Sequence, residues 1–289
     1  MGKTDLSLEL AAHYSTVILS ADSRQFYREM NIGTAKPNTG QLSRVKHYFI
    51  NNKSINDLYS AGNFEKDALD LLDRLFMEHP LIFITGGSGL YLNAVLKGVD
   101  NFIEVPDEVR NKLNKEFKES GINYLQNKLK ELDEPYFNSV DLNNPQRIIR
   151  ALEVCIHTGK PYSSFINKPK VERKFIPIQI LINCEREELY KKINQRTDKM
   201  MAEGLLDEVK QLMPFKHFNA LKTVGYKELF AYLDGSYDLV NAVIKIKQHT
   251  RNYAKRQLTW FKNQNEFEEF NPHDFEKIKA YIDIIIANG

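Results

Sequence analysis

Leu81-Ile-Phe-Ile-Thr85 runs without a break into Gly86-Gly-Ser-Gly-Leu-Tyr91 and then into an apolar segment that keeps helical spacing through Leu96. A short β-rich run, a glycine turn and a helix make one unit of an α/β sheet. Upstream, residues 16–19 form a second β-rich run, which ends in Ser20-Ala-Asp-Ser23. Asp22 therefore sits just beyond the carboxyl end of a strand, the edge at which open parallel α/β sheets bind ligands. Downstream, residues 176–182 are almost continuously apolar and are expected to form a buried strand. Between these runs the texture changes. From Pro106 to about Lys170 the chain is rich in Lys, Glu, Asn and Leu, is helical in pattern and lacks a convincing buried strand. Residues 169–174 are expected to lead back into strand and helix, with a helical stretch at 187–213.

The 289 residues are 42% hydrophobic, enough for one large domain or one domain with an insertion. No run approaches the roughly 18 apolar residues of a membrane helix, and no signal peptide is recognisable at the start, so a cytoplasmic protein with no membrane partner is expected. The two cysteines, Cys155 and Cys184, lack metal-ligand or disulfide spacing. A formal net charge of +2 selects no partner by itself, but its distribution does. Between Leu239 and Asn265 there is no acidic residue. Within an expected helix at 239–261, Lys247, Arg251 and Lys255 recur every four residues and share one face, while Val243, Ala254, Leu258 and Phe261 can face a core. Such a positive face suits nucleic acid.

Gly2-Lys3-Thr4 opens a helix expected to run to about His13, with Leu6, Leu10 and Ala11 at helical spacing. The triplet is the second half of a phosphate-binding loop, G-x-x-x-x-G-K-[ST]. In such a loop the helix N-terminus and the Lys hold phosphate, and the Thr hydroxyl holds Mg²⁺. The glycine-rich half and the strand before it are absent from the sequence. The expectation is a chain truncated within the loop; the competing expectation is a chain that has lost phosphate binding.

Ser20 to Pro37, SADSRQFYREMNIGTAKP, resembles the (V/A)-D-S-x-Q-(V/L)-Y-x-x-(M/L)-(D/N)-I-G-T-A-K-P signature of the tRNA dimethylallyltransferases, also called tRNA isopentenyltransferases. Four further segments match in the family's order: Tyr59-Ser-Ala-Gly-Asn-Phe64, Gly86 to Tyr91, Asn144-Pro-Gln-Arg-Ile-Ile-Arg-Ala-Leu-Glu153, and Thr250-Arg-Asn-Tyr-Ala-Lys-Arg-Gln-Leu-Thr-Trp-Phe261. The resemblance runs nearly end to end. It implies an α/β fold, a P-loop NTPase-like core with a parallel sheet flanked by helices, at residues 1–105 and 170–289. An all-helical insertion domain at 106–169 would contact tRNA.

The implied reaction moves a dimethylallyl group from dimethylallyl diphosphate to N6 of adenosine 37, in tRNAs that read codons beginning with U. Asp22 matches the family's general base, which an adenine amine needs because its lone pair is delocalised into the ring. Gly2, Lys3, Thr4 and Arg196 match diphosphate-binding positions, with Lys3 and Thr4 counted as catalytic and Thr4 as the Mg²⁺ ligand. For the tRNA anticodon stem-loop the matching positions are Asp22, Ser23, Arg24, Gln25, Ser88, Arg110, Gln146, Arg147, Ile148, Ile149 and Arg150. The basic helix adds Arg251 and Lys255. Ile148 and Ile149 also fit a packing role, and Arg147 and Arg150 also fit ion pairs with neighbouring glutamates. A monomer is expected. Other readings are an adenylate isopentenyltransferase, which would need neither the helical insertion nor the basic helix, a small-molecule P-loop kinase, and a noncatalytic tRNA-binding protein.

Overall fold

A computed structural model describes residues 2–98, 103–166, 172–264 and 266–288, and divides them between two compact units. The first unit takes residues 1–96 and 173–289, the second 97–172. The helical segment expected at 106–169 falls inside the second. The expected boundary at 169/170 lies outside the described residues.

The first unit opens with α1 (Lys3–His13), β1 (Ile18–Ser20), α2 (Thr39–Arg44), β2 (His47–Tyr48), α3 (Ala61–Leu75), β3 (Phe83–Thr85) and α4 (Gly89–Lys97). Strands β1, β2 and β3 form one parallel sheet in the order β2-β1-β3, with Ile18 opposite both His47 and Phe83. Helices connect the strands, as parallel pairing requires. The middle strand is apolar on both faces, and Ile18 and Leu19 have no exposure at all. Beside it an aromatic cluster fixes the segment that follows. Phe26, fully buried, packs on Tyr59 and Phe64 at ring-centroid distances of 5.1 and 5.5 Å. Removing a buried phenyl ring of this kind costs about 3–5 kcal/mol. Phe26, at the position where the signature has Val or Leu, is thus an anchor that holds residues 22–27 against the sheet edge.

The second unit holds α5 (Asp107–Leu132), α6 (Glu134–Phe137) and α7 (Pro145–Thr158), with no strand among the described residues. Its core joins Leu113, Leu125 and Leu129 of α5 to Ile148, Ile149 and Leu152 of α7. Asn144 caps α7 by accepting from the Arg147 N–H at 3.3 Å, and Pro145 occupies the first turn, where its missing N–H costs nothing. Asp133 is 2% exposed and accepts from the backbone N–H groups of Tyr136 and Ser163, tying α6 to the loop after α7.

The chain returns to the first unit with β4 (Ile180–Ile182), α8 (Arg186–Ala202), α9 (Leu205–Gln211), α10 (Tyr226–Leu233), α11 (Leu239–Lys262), β5 (Glu268–Phe270) and α12 (Phe275–Asn288). Strands β4 and β5 pair in parallel as a separate two-stranded sheet. The apolar run at 176–182 is shorter as a strand than expected and is not fully buried. Only Ile180–Ile182 pair, Ile176 is 70% exposed, and Ile180 and Ile182 are half-buried. The reason is a cavity of about 1230 Å³ inside this unit, lined by both the 81–85 run and the 176–182 run. Helix α11 runs as expected, but α12 follows it; its Ile278 and Ile282 pack against Leu6 and Leu10 of α1. No helix among the described residues is long and apolar enough to cross a membrane.

Candidate active site

The polar end of the cavity is built from strand ends and helix starts. Asp22 follows β1, Gly86 follows β3, Gly2 precedes α1, and Lys3 and Thr4 begin it; all five residues line the cavity. The two strand ends are held together because the Ala21 N–H donates to the Thr85 carbonyl at 2.8 Å. That proximity dictates glycine at position 86, where a Cβ would fall 2.4 Å from the Ala21 carbonyl oxygen. Gly2, the residue before α1, has φ 105°, a left-handed conformation that glycine adopts without steric penalty. Lys3 Nζ reaches the Gly86 carbonyl at 3.5 Å.

Two cations bear on one carboxylate here. Burial holds the Lys3 ammonium below its ordinary value, partly countered by the Asp22 charge. Burial likewise lowers Arg196, which α8 carries into the same cavity, and Asp22 again opposes the shift. Neither cation touches that carboxylate. Among the described residues no hydrogen bond or ion pair joins Asp22 to Lys3 or Arg196; one Asp22 oxygen accepts the Arg24 N–H at 2.9 Å. Asp22 is thus oriented by a turn contact and surrounded by positive potential, with capacity left to take a proton. Thr4 is exposed at the same cavity. A Mg²⁺ ion bound jointly by a protein hydroxyl and substrate phosphate oxygens suits this donor set, whereas no group of three or more His, Cys, Asp or Glu is present among the described residues.

The remaining expected residues divide. Ser23 and Ser88 meet, the Ser23 N–H donating to Ser88 Oγ at 3.0 Å, so the turn after β3 braces the turn after β1. Arg24 is half-buried and donates to the Asn219 carbonyl at 3.5 Å. The Gln25 amide works inside the protein: its nitrogen donates to the Thr34 and Ala35 carbonyls at 3.3 Å, and its oxygen accepts from Ser20 Oγ at 3.0 Å. On α11, Arg251 donates to Asn194 at 2.8 Å, Lys247 pairs with Asp198 at 2.6 Å, and Lys255 is exposed. The expected stripe of cations is therefore partly tied to α8. Of the four residues expected to face a core, only Phe261 is buried. Ala254 and Leu258 line the cavity with it.

In the helical unit Gln146 and Arg147 are exposed on the first turn of α7. Ile148 and Ile149 correct the expectation of RNA contact: they are 0% and 3% exposed and fill the core between α5 and α7, so their side chains present no surface. Arg110 and Arg150 both bond to Glu153, a residue that charge patterning alone did not single out.

Three further residues were not assigned to the site. Gln257, at the cavity, donates to the Gly87 carbonyl at 2.6 Å. Tyr253, 43% exposed, lies close enough to Asp22 for that charge to raise its phenol, after burial. Glu208 accepts the three successive N–H groups of Asn31, Ile32 and Gly33 at 3.0, 2.8 and 3.1 Å, and the Tyr226 hydroxyl at 2.6 Å. The second half of the signature is thus held by a distant carboxylate. The Asn-Ile-Gly-Thr segment marks the place, but nothing in its spacing names the partner.

A parallel α/β unit here gathers a helix N-terminus, two half-buried cations and a carboxylate around one cavity, a donor set suited to a phosphorylated substrate. A family model describing IPP transferases matches residues 25–264, and the chain belongs to that family. It is 49% identical over 287 residues to a tRNA dimethylallyltransferase of Christiangramia forsetii, covering 98% of this chain and 95% of that one. It is 47% identical over 282 residues to tRNA dimethylallyltransferase 1 of Bacteroides thetaiotaomicron, covering 98% and 92%. Among solved structures it resembles the full-length tRNA isopentenylpyrophosphate transferase of Bacillus halodurans, with a TM-score of 0.68 at 35% identity and coverage of 99% and 92%. A eukaryotic dimethylallyltransferase acting on tRNA shares the fold, with a TM-score of 0.78 at 23% identity over 99% of this chain and 76% of that one.

Proposed function

We infer that the chain is a tRNA dimethylallyltransferase, which moves a dimethylallyl group from dimethylallyl diphosphate to N6 of adenosine 37 in tRNAs that read codons beginning with U. The observation that carries this reading is the Asp22, Lys3 and Arg196 arrangement at the strand edge, in a chain 49% identical to a tRNA dimethylallyltransferase. The bond between the allylic carbon and the diphosphate oxygen breaks, and the bond between that carbon and N6 forms. Asp22 accepts the N6 proton as nitrogen becomes electron-poor. Lys3, Arg196 and the N-terminus of α1 face the leaving diphosphate and offset its growing charge. Mg²⁺ bound to phosphate oxygens beside Thr4 would add to that neutralisation.

An adenine in an anticodon loop reaches such a cavity only after leaving its stack, and a grip on the flanking phosphates helps meet that cost. We assign the grip to exposed cations: Arg147 and Arg110 of the helical unit, and Lys255 of α11. The test is incubation of the chain with dimethylallyl diphosphate, Mg²⁺ and an anticodon stem-loop carrying adenosine at 36, 37 and 38. Mass spectrometry should show one dimethylallyl group on adenosine 37. Prenylation of free adenylate but not of the RNA would replace this reading with an adenylate isopentenyltransferase.

A further inference from the structure

We propose that Glu208 is a positioning residue for the transfer reaction, holding one wall of the cavity and, through Gln25, the turn that carries Asp22. The proposal rests on the prenyl-transfer reading. Glu208 lies on α9 between Leu205 and Val209, both fully buried, so its backbone has little freedom. Its carboxylate accepts four hydrogen bonds. Oε2 takes the N–H groups of Asn31 and Ile32 at 3.0 and 2.8 Å, and Oε1 takes the Gly33 N–H at 3.1 Å and the Tyr226 hydroxyl at 2.6 Å. Three successive N–H groups at the open end of a helical turn form a nest for an anion, and here a side chain 177 residues further along the chain fills it. Tyr226, with no exposure, covers the turn: a Cβ at position 33 would fall 2.5 Å from its ring, so glycine is required there.

What the clamp holds is a strained turn. Ala35, two residues beyond Gly33, has φ 50°, in the left-handed region, which a non-glycine residue keeps only when its surroundings impose it. Thr34 and Ala35 line the cavity with Ser20, Asp22 and Gln25. Their two carbonyls both accept from the Gln25 amide nitrogen, at 3.3 Å each. With its nitrogen so committed, the Gln25 side chain turns its oxygen to Ser20 Oγ at 3.0 Å, and that hydroxyl oxygen accepts the Asp22 N–H at 3.4 Å. The Gln25 N–H also donates to the Asp22 carbonyl at 3.1 Å. Displacing the wall therefore moves the amide, and the amide moves the residue assigned to take the proton. A misplacement of about 1 Å at a reacting group is enough to cost about 10²-fold in rate.

Stability alone would be served by apolar burial, which the adjoining cluster of Met30, Leu205, Val209 and Tyr226 already supplies. A carboxylate with four donors adds direction, because each hydrogen bond sets an angle as well as a distance.

Single-turnover prenyl transfer at saturating stem-loop and donor, with RNA affinity and urea midpoint measured on the same preparations, separates positioning from folding. Glu208→Gln should lower the transfer rate about 5- to 50-fold and leave RNA affinity within about 2-fold. Val209→Ala opens a cavity on the same helix and removes none of the four hydrogen bonds; it should lower the urea midpoint and keep the unmodified rate. An unmodified rate in Glu208→Gln, a loss there that weaker RNA binding accounts for, or an equal rate loss in Val209→Ala would overturn the proposal. The route through Gln25 is tested by joining Glu208→Gln to Gln25→Leu. If both cut one chain of contacts, the double variant is within about 2-fold of the slower single variant, whereas a multiplied loss would overturn that route. Should Glu208→Gln not fold, Glu208→Asp keeps the charge and withdraws it by one methylene. It should show the same selective rate loss, and an unmodified rate there would overturn the proposal equally. Absence of transfer by the unmodified chain would instead remove the prenyl-transfer reading beneath it.

Discussion

Two clusters in this molecule bring cations to a carboxylate, and their construction is opposite. At the sheet edge, Lys3 and Arg196 act on Asp22 through space without bonding to it, and burial lowers both cations. In the helical unit, Arg110 and Arg150 bond directly to Glu153, and Arg110 is raised. A carboxylate that accepts directly from cations is fixed in place. One that only feels neighbouring charge keeps lone pairs to accept a proton and leaves the cations to meet an anion. The first construction suits holding, the second chemistry.

Disturbing the cations at the sheet edge should have a large effect. Lys3→Ala removes a half-buried positive group that the proposed reaction sets against the leaving diphosphate, and kcat/KM for the donor should fall about 10²–10³-fold. The pH profile sharpens the point. A lysine lowered by burial loses its proton below the ordinary 10.5. In the free enzyme the alkaline fall in kcat/KM should therefore begin below that pH, and Lys3→Arg should push it upward because a guanidinium stays charged. A profile identical in Lys3 and Lys3→Arg enzymes would detach that limb from Lys3.

Glu208 supplies a third construction, a carboxylate filled by neutral donors: three backbone N–H groups and the Tyr226 hydroxyl. Glu208→Gln places an NH₂ group among donors. It should cost about 1–3 kcal/mol in urea denaturation. No change in the midpoint would mean that the 31–33 turn does not depend on this carboxylate.

These contrasts set the limit of what the sequence reveals. Asp22, Lys3 and Gly2 were legible because a strand end and a helix start are local events with local residue signals, and the family signature named the rest. Glu153 and Glu208 were not, because a glutamate in a helix looks the same whether it faces water or receives several hydrogen bonds from another element. Strands β2 and β5, two and three residues long, are too short for period-two patterning to register. Helix α12 was missed although Ile278 and Ile282 have helical spacing. The apolar run at 176–182 reads as a buried strand because hydrophobicity records what the side chains prefer, whereas the cavity between it and the 81–85 run decides what they meet. The pairing of Lys247 with Asp198, and of Arg251 with Asn194, likewise depends on α8 lying against α11.

The most direct test compares Asp22→Ala with the unmodified chain in single-turnover prenyl transfer at saturating stem-loop, with RNA affinity measured on the same preparation. Loss of a positioned base should lower the rate about 10²–10⁴-fold and leave RNA affinity largely intact. An unchanged rate, or a rate loss accounted for by lost RNA binding, would contradict the role of Asp22 as the carboxylate, bonded to neither Lys3 nor Arg196, that takes the proton.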